Sequence, residues 1–245
     1  MKTFLSALVT VSTFGVMQAG AVVYFNEPFS YPDGSLTTVS GDWSTHSGTA
    51  GQIQVISESI TLMDSQSEDV NRPLGATVTT GSVFGAFDFS VTAGAPVGGT
   101  DFEYFAHFGN GTSDFTARMD VVAPSGGGDF SVGISATSTA QATWATDLSF
   151  GVTYQAVIGY NRDSGIPTLW IDPASEASTS ISGFADTNDV EGFYFRQSNS
   201  SANETIVIDN LTVASTFNEA TGIPEPAGFA LVGLGGILLV LRRRR

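Results

Sequence analysis

The sequence predicts an all-β protein, an antiparallel two-sheet sandwich set between two terminal targeting segments. Three observations carry this. Apolar and polar residues alternate in steps of two, and no window shows an apolar repeat of 3.6 residues. Gly-rich turn signals separate the alternating runs. The 18 phenylalanines among 245 residues supply enough bulk for the ~10 Å layer between two packed sheets.

The strands follow in order. Short candidates lie at 22–26, 53–56, 59–63 and 76–80. In 87–91, Phe87, Phe89 and Val91 point one way, Asp88 and Ser90 the other. In 102–108 the expected sets are Phe102, Tyr104, Ala106 and Phe108 against Glu103, Phe105 and His107. Residues 115–122, 130–135 and 154–160 continue the alternation. Candidates at 168–171 and 191–197 precede a β-rich final run at 206–213. Pro32-Asp33-Gly34, Gly98-Gly99, Asn110-Gly111, Ser125–Gly128 and Asp163-Ser164-Gly165 supply the turns. Strands this short, at 8–12-residue spacing, indicate one sandwich domain over 22–216 with essentially no helix. Phe87, Phe89, Phe102, Tyr104, Phe130, Val132, Ile134, Tyr154, Ile158 and Ile208 are its expected core.

Both ends read as targeting segments. Lys2, an apolar run from Phe4 to Met17 and Ala19-Gly20-Ala21 make residues 1–21 a secretory signal peptide, cut before Val22. At the other end a polar linker, 217–222, leads to Ile223-Pro224-Glu225-Pro226, the uncharged run Ala227–Leu241 and Arg242–Arg245. Fifteen residues at 1.5 Å each span roughly 22 Å as a helix, short of the ~30 Å hydrocarbon core. Snorkelling arginine stems cover part of that mismatch. The four arginines hold the terminus on the cytoplasmic side and leave the domain outside.

Pro224, Glu225 and Pro226, a Gly-rich apolar segment and the cluster Arg242, Arg243, Arg244 and Arg245 resemble the PEP-CTERM sorting signal of Gram-negative bacteria. The resemblance implies a membrane stage for 223–245 and a partner, an exosortase-type sorting protease, that cleaves near the motif. An ordinary single-pass anchor is the alternative. Three phrases in the middle resemble concanavalin A-like, LamG-type jelly rolls. They are Phe25–Leu36 with Trp43 soon after, Thr153–Tyr160 followed by Thr168–Pro173, and Ile208–Val213. That fold hosts lectins, hydrolases, lyases and adhesion modules, so the likeness speaks to fold more than to function.

Charge excludes more than it assigns. Residues 22–222 hold four arginines, no lysine and 23 acidic side chains (24 less Glu225), a net of about −19. No basic footprint exists for nucleic acid. Cysteine is absent, which removes disulfides and thiolate chemistry. The bulk charge repels anionic polymers, so a neutral glycan is the expected partner unless calcium bridges the two. No E-x-D-x-x-E strand and no Gln-x-His pair occurs. Asp101 and Glu103 are the nearest approach to a carboxylate pair, and solvated strand residues explain them as well.

No cofactor is called for. Calcium is the one ion the jelly-roll resemblance allows, tying first and last strands through Glu27 and Asp209, with Asn26 and Asn210 as helpers. A ligand face would use Trp43 and Trp170, with Glu103 and His107 on a strand. Burial of either tryptophan in core or edge packing, and of His107 within the sheet, is the preferred reading, and His46 reads as a solvated loop residue. The functional expectation is therefore an exported, non-catalytic surface or matrix protein contacting extracellular polysaccharide or envelope components. A purely structural envelope protein or a carbohydrate-active enzyme stands as alternative. Fractionation with intact-mass analysis is expected to recover the protein outside the cytosol, beginning at Val22. Cytosolic protein carrying both Met1 and Arg245 contradicts this.

Overall fold

The computed structural model describes residues 20–98, 103–111, 114–136, 140–197 and 204–224. The apolar part of the expected signal peptide, Asp101, Phe102, Glu225, Pro226 and Arg242–Arg245 lie outside them, as does the side chain of Glu103. Among the described residues no helix is long and apolar enough to cross a membrane.

Those residues form sixteen strands and two short helices. In order these are β1 (Val23–Glu27), β2 (Gly34–Ser35), α1 (Leu36–Val39), β3 (Ser44–Ser47), β4 (Gln54–Ile56) and β5 (Ser59–Met63). Then come β6 (Asp69–Val78), β7 (Ser82–Thr92), β8 (Glu103–Asn110), β9 (Asp114–Val122), β10 (Ser131–Ser135) and β11 (Ala142–Thr143). The chain closes with β12 (Tyr154–Asn161), β13 (Ile166–Ile171), β14 (Ile181–Ser182), β15 (Val190–Arg196), β16 (Thr205–Ala214) and α2 (Phe217–Thr221). A nine-stranded sheet runs β14-β13-β12-β7-β16-β5-β4-β2, with β1 also on β16, and a seven-stranded sheet runs β11-β10-β9-β8-β15-β6-β3. The pairings are antiparallel, and the expected two-sheet sandwich is the architecture found.

Alternation decides which side chains meet between the sheets. On β7, Val83, Phe87, Phe89 and Val91 face inward and are buried. The Phe87 ring lies 6.2 Å from Phe105, 6.1 Å from Phe193 and 5.9 Å from Phe195, all on the second sheet. Burying each such ring contributes roughly 1.5–3 kcal/mol. Gly85 belongs to the same face, and a Cβ there would lie 2.6 Å from the Phe193 ring. Phe130, Val132, Ile134, Ile158 and Ile208 join this core as expected, and Tyr154 packs partly buried against it.

A buried carboxylate joins the sheets. Glu27, at the end of β1, is 1% exposed. Its Oε1 accepts from the Phe29 N–H at 2.9 Å, and its Oε2 accepts from Tyr31 Oη at 2.9 Å, Trp43 Nε1 at 2.9 Å and Arg72 Nη1 at 2.5 Å. Arg72 lies on β6 of the other sheet, pairs also with Asp42 at 2.9 Å and stacks 4.4 Å over Phe25. Trp43 is buried beside it, stacked on Phe195 at 5.5 Å.

Residues 217–222 correct the expected polar linker. They form α2 and its cap, with Phe217 and Ala220 buried on the outer face of the first sheet. Thr216 Oγ1 accepts from the Glu219 N–H at 3.3 Å, and Gly222 ends the helix in the left-handed region at φ 68°. Phe217 sits 5.3 Å from Trp170 and 6.1 Å from Phe84, and Ile223 packs against that cluster. The folded body therefore extends to Ile223. Glu27→Ala is expected to cost about 3–5 kcal/mol in urea unfolding, because it removes the acceptor that the Phe29 N–H, Tyr31, Trp43 and Arg72 share in the core. Phe217→Ala is expected to cost about 3 kcal/mol. A loss below ~1 kcal/mol for Glu27→Ala contradicts the role given to the pair.

Candidate functional site

The outer face of the second sheet carries a strip of rings and cations laid across β3, β15, β8 and β9. Its origin is a break in alternation. β8 slips register against β9 between Tyr104 and Ala106 and again between Ala106 and Phe108. Such irregularities reset which face a residue meets. Tyr104, expected in the core, lies with His107 on the outer face at 5.3 Å between rings, while Phe105, Ala106 and Phe108 enter the core. On β9 the matching distortion places Ala117 at φ 51°.

Two cross-strand glycines make room for the rings. Gly109 pairs with Gly192, and a Cβ on Gly109 would lie 3.0 Å from both the Phe115 and Tyr194 rings. Tyr194 therefore lies close to the backbone, with its Oη donating to the Gly111 carbonyl at 3.0 Å. His107 stacks on Tyr194 with centroids 4.9 Å apart and planes 11° apart, and contacts Phe115 at 4.6 Å. His46 is not a loop residue. It sits on β3, edge-on to Phe115 and Tyr194 at 5.4 Å each. Arg118 and Arg196 lie over the Tyr104 ring at 4.7 and 4.5 Å. Tyr104, Phe115, Arg118, Arg196 and His46 are part-exposed, and His107 forms the buried floor.

Electrostatics follow from that burial. His107 is pushed down to about 3, first by loss of water and then by the nearby Arg118, His46 and Arg196 charges, against the pull of the Phe108 carbonyl 3.0 Å from Nδ1. It is neutral at physiological pH. Burial raises Asp69, which faces Arg196 across β6 and β15, despite a hydrogen bond from Ser47 and the Arg196 charge. Asp120 on β9 is fully buried.

The remaining expected site residues are scattered. Trp43 is in the core, and its indole N–H is committed to Glu27. Trp170 is buried under α2 and donates to the Glu176 carbonyl at 3.1 Å. Neither presents a ring to a ligand. Glu103 lies on β8 beside the strip. Glu27 and Asp209 do not meet. Glu27 points between the sheets and is saturated by four donors, whereas Asp209 lies on the outer face of the first sheet opposite Asp88. A register shift after Asp209 puts Asn210 at φ 54°, where its amide donates to Asp88 at 3.0 Å. Burial and the Asp88 and Glu58 charges raise Asp209 against the Asn210 N–H. Among the described residues no group of three or more His, Asp or Glu side chains forms a metal cage.

Comparison with solved structures places the architecture. The Lotus tetragonolobus seed lectin aligns at 14% identity over 78% of this chain and 97% of its own, with a TM-score of 0.50. The winged bean acidic lectin, complexed with methyl-α-D-galactose, aligns at 13% identity over 80% and 98%, with a TM-score of 0.51. The protein has the concanavalin A-like jelly-roll fold. No protein-family model and no curated protein matches the sequence. At these identities the likeness concerns this fold alone.

Sequence reasoning found His107 on this face and missed the partners that make it a site. The usable signal was the polar side of the alternation. Tyr194 and Arg196 share a face at i, i+2, and Arg118 and Asp120 do the same. The buried histidine yields a pH prediction. Between its unfolded value near 6.5 and its folded value of about 3, the unfolded chain binds a proton that the folded chain refuses. Stability is thus lost as pH falls through that window. From pH 7 to pH 5 the wild type is expected to lose about 1–2 kcal/mol more than His107→Phe, measured by urea unfolding. Equal losses contradict a buried neutral His107.

Proposed function

We propose that this protein is an exported, non-catalytic surface or matrix protein that binds polysaccharide on the outer face of its second sheet. Residues 223–245 deliver it through a PEP-CTERM-type tail, with an exosortase-type protease and the membrane as partners in sorting. The observation that carries the binding reading is the part-exposed array of Tyr104, Phe115, Arg118 and Arg196 over a rigid floor of His107 and Tyr194. Aromatic faces pack against the C–H faces of sugar rings, and guanidinium forks donate to their oxygens. The floor is held by packing, so little order is lost on binding. Lectins use the same fold, and the reading rests on the residues of this face rather than on that likeness.

Binding without cleavage is the form favoured by the sequence, which lacks the three-carboxylate strand of sandwich glycosidases and the Gln-x-His pair of lyases. A glycan array on the full chain, with and without calcium, tests this beside a reducing-sugar release assay. Binding without release is expected, with Tyr104→Ala weakening it at least tenfold, a loss of about 1.4 kcal/mol. Sugar release contradicts the non-catalytic form, and silence in both assays contradicts the binding reading.

A further inference from the structure

The expected sorting motif begins at Pro224, directly after Ile223, which packs on the domain. The residues of α2, Phe217–Thr221, hold Ile223 there. Phe217 and Ala220 are 1% and 6% exposed, set among Phe84, Val157 and Trp170 on the outer face of the first sheet. Thr221 Oγ1 donates to the Phe217 carbonyl at 2.8 Å and accepts from the Ile223 N–H at 3.2 Å, which ties Ile223 back to the helix. The other end of α2 is pinned as well. The Ser215 N–H donates to the Val22 carbonyl, and Ser215 Oγ accepts from the Val22 N–H, each at 2.8 Å.

A helix this short does not hold its shape alone, because nucleation is costly and isolated helices below about 12 residues are marginal in water. The shape of α2 therefore comes from docking, and the segment has two arrangements: helical on the sheet, or extended and away from it. Proteases take their substrates extended, with several residues on either side of the cut lying in the active-site cleft. With α2 docked, the residues before Pro224 are helical, turned at Gly222 into the left-handed region and partly buried, so a cleft cannot close round them. Cutting then draws on the undocked population, as proteolysis of an opened state does when reclosing is fast.

We infer that α2 is a gate on the sorting cleavage: docked on the first sheet it shields the peptide bonds next to Pro224, and the protease acts only while α2 is released. The inference rests on the sorting reading of residues 223–245 and is independent of the polysaccharide reading. The step gated is hydrolysis of a peptide bond, in which water adds its hydroxyl to the acyl carbon and its proton to the amine that leaves with the tail. Phe217 is the latch. It is the largest side chain that α2 buries, and it meets Trp170 at 5.3 Å and Phe84 at 6.1 Å. Processing is thereby tied to folding: it is fast on a chain whose last strand is not yet placed and slow on the finished domain.

The test follows the full chain in a Gram-negative host carrying an exosortase-type protease, with loss of the tail timed by intact mass after a pulse label. Phe217→Ala is expected to speed removal of the tail about tenfold or more, because the docked state loses its main contact. A flexible Gly-Ser stretch inserted between Ile223 and Pro224 moves the motif away from a helix that stays docked, and is expected to do the same. This second chain carries the test where Phe217→Ala fails to fold. Hydrogen exchange of the purified full chain is expected to show the 217–223 amides protected in the wild type and open in Phe217→Ala. Equal processing of wild-type and insertion chains overturns the inference and leaves the sorting reading standing. Exchange in the wild type as fast as in Phe217→Ala overturns the docked gate itself. Tails retained in every chain overturn the sorting reading and the inference with it.

Discussion

The pair between Glu27 and Arg72 is the interaction on which the sandwich depends. It joins the first strand of one sheet to β6 of the other, in a space otherwise filled by phenylalanine rings. A carboxylate so placed is tolerated because four donors converge on it, two of them from Trp43 and Tyr31 of the intervening segment. An ion pair of this kind adds little net stability compared with a well-packed apolar alternative. Its effect is on specificity: any other stagger of the sheets leaves a charge unpaired in the core, so the register of the two layers is fixed.

The other arginines lie away from that pair. Arg162 is bound to Asp189, and Arg118 and Arg196 flank Tyr104 on the outer face of the second sheet. The rings there lie flat because Gly109 and Gly192 put no side chain beneath them. The first sheet offers a different outer surface. Its centre is covered by α2 and Ile223, and farther along it Asp88 and Asp209 face each other. One layer thus holds the end of the folded chain, and the other presents the ring and guanidinium array.

The sandwich was legible in the sequence because alternation on β7, β10 and β12 is uninterrupted where it matters, and each apolar set lands in or against the core. Alternation failed on β8, where two register shifts exchange the faces of Tyr104 and Phe105. A bulge depends on the partner strand and leaves no mark in the pattern of one strand. β3 went unread because Ser44–Ser47 has no apolar residue, and the start of β6 because Pro73 and Gly75 interrupt it. The helix at 217–221 was readable: Thr216 followed by Glu219, with Gly222 after, is the signature of a capped turn. The tryptophans suit both a sugar platform and a core; burial is the preferred reading, and Trp43 and Trp170 are both buried. The calcium pair failed because neighbouring strand ends can still point to opposite faces of a sheet.

The central claim is that the working surface is the outer face of the second sheet. Nitrogen-15 correlation spectra of the arginine Nε–H groups test it most directly, because the domain has four such signals and they divide by location. On addition of a bound oligosaccharide, the Arg118 and Arg196 signals are expected to shift while those of Arg72 and Arg162 stay in place. Shifts confined to Arg72 or Arg162, or unmoved Arg118 and Arg196 signals at saturation, contradict the account.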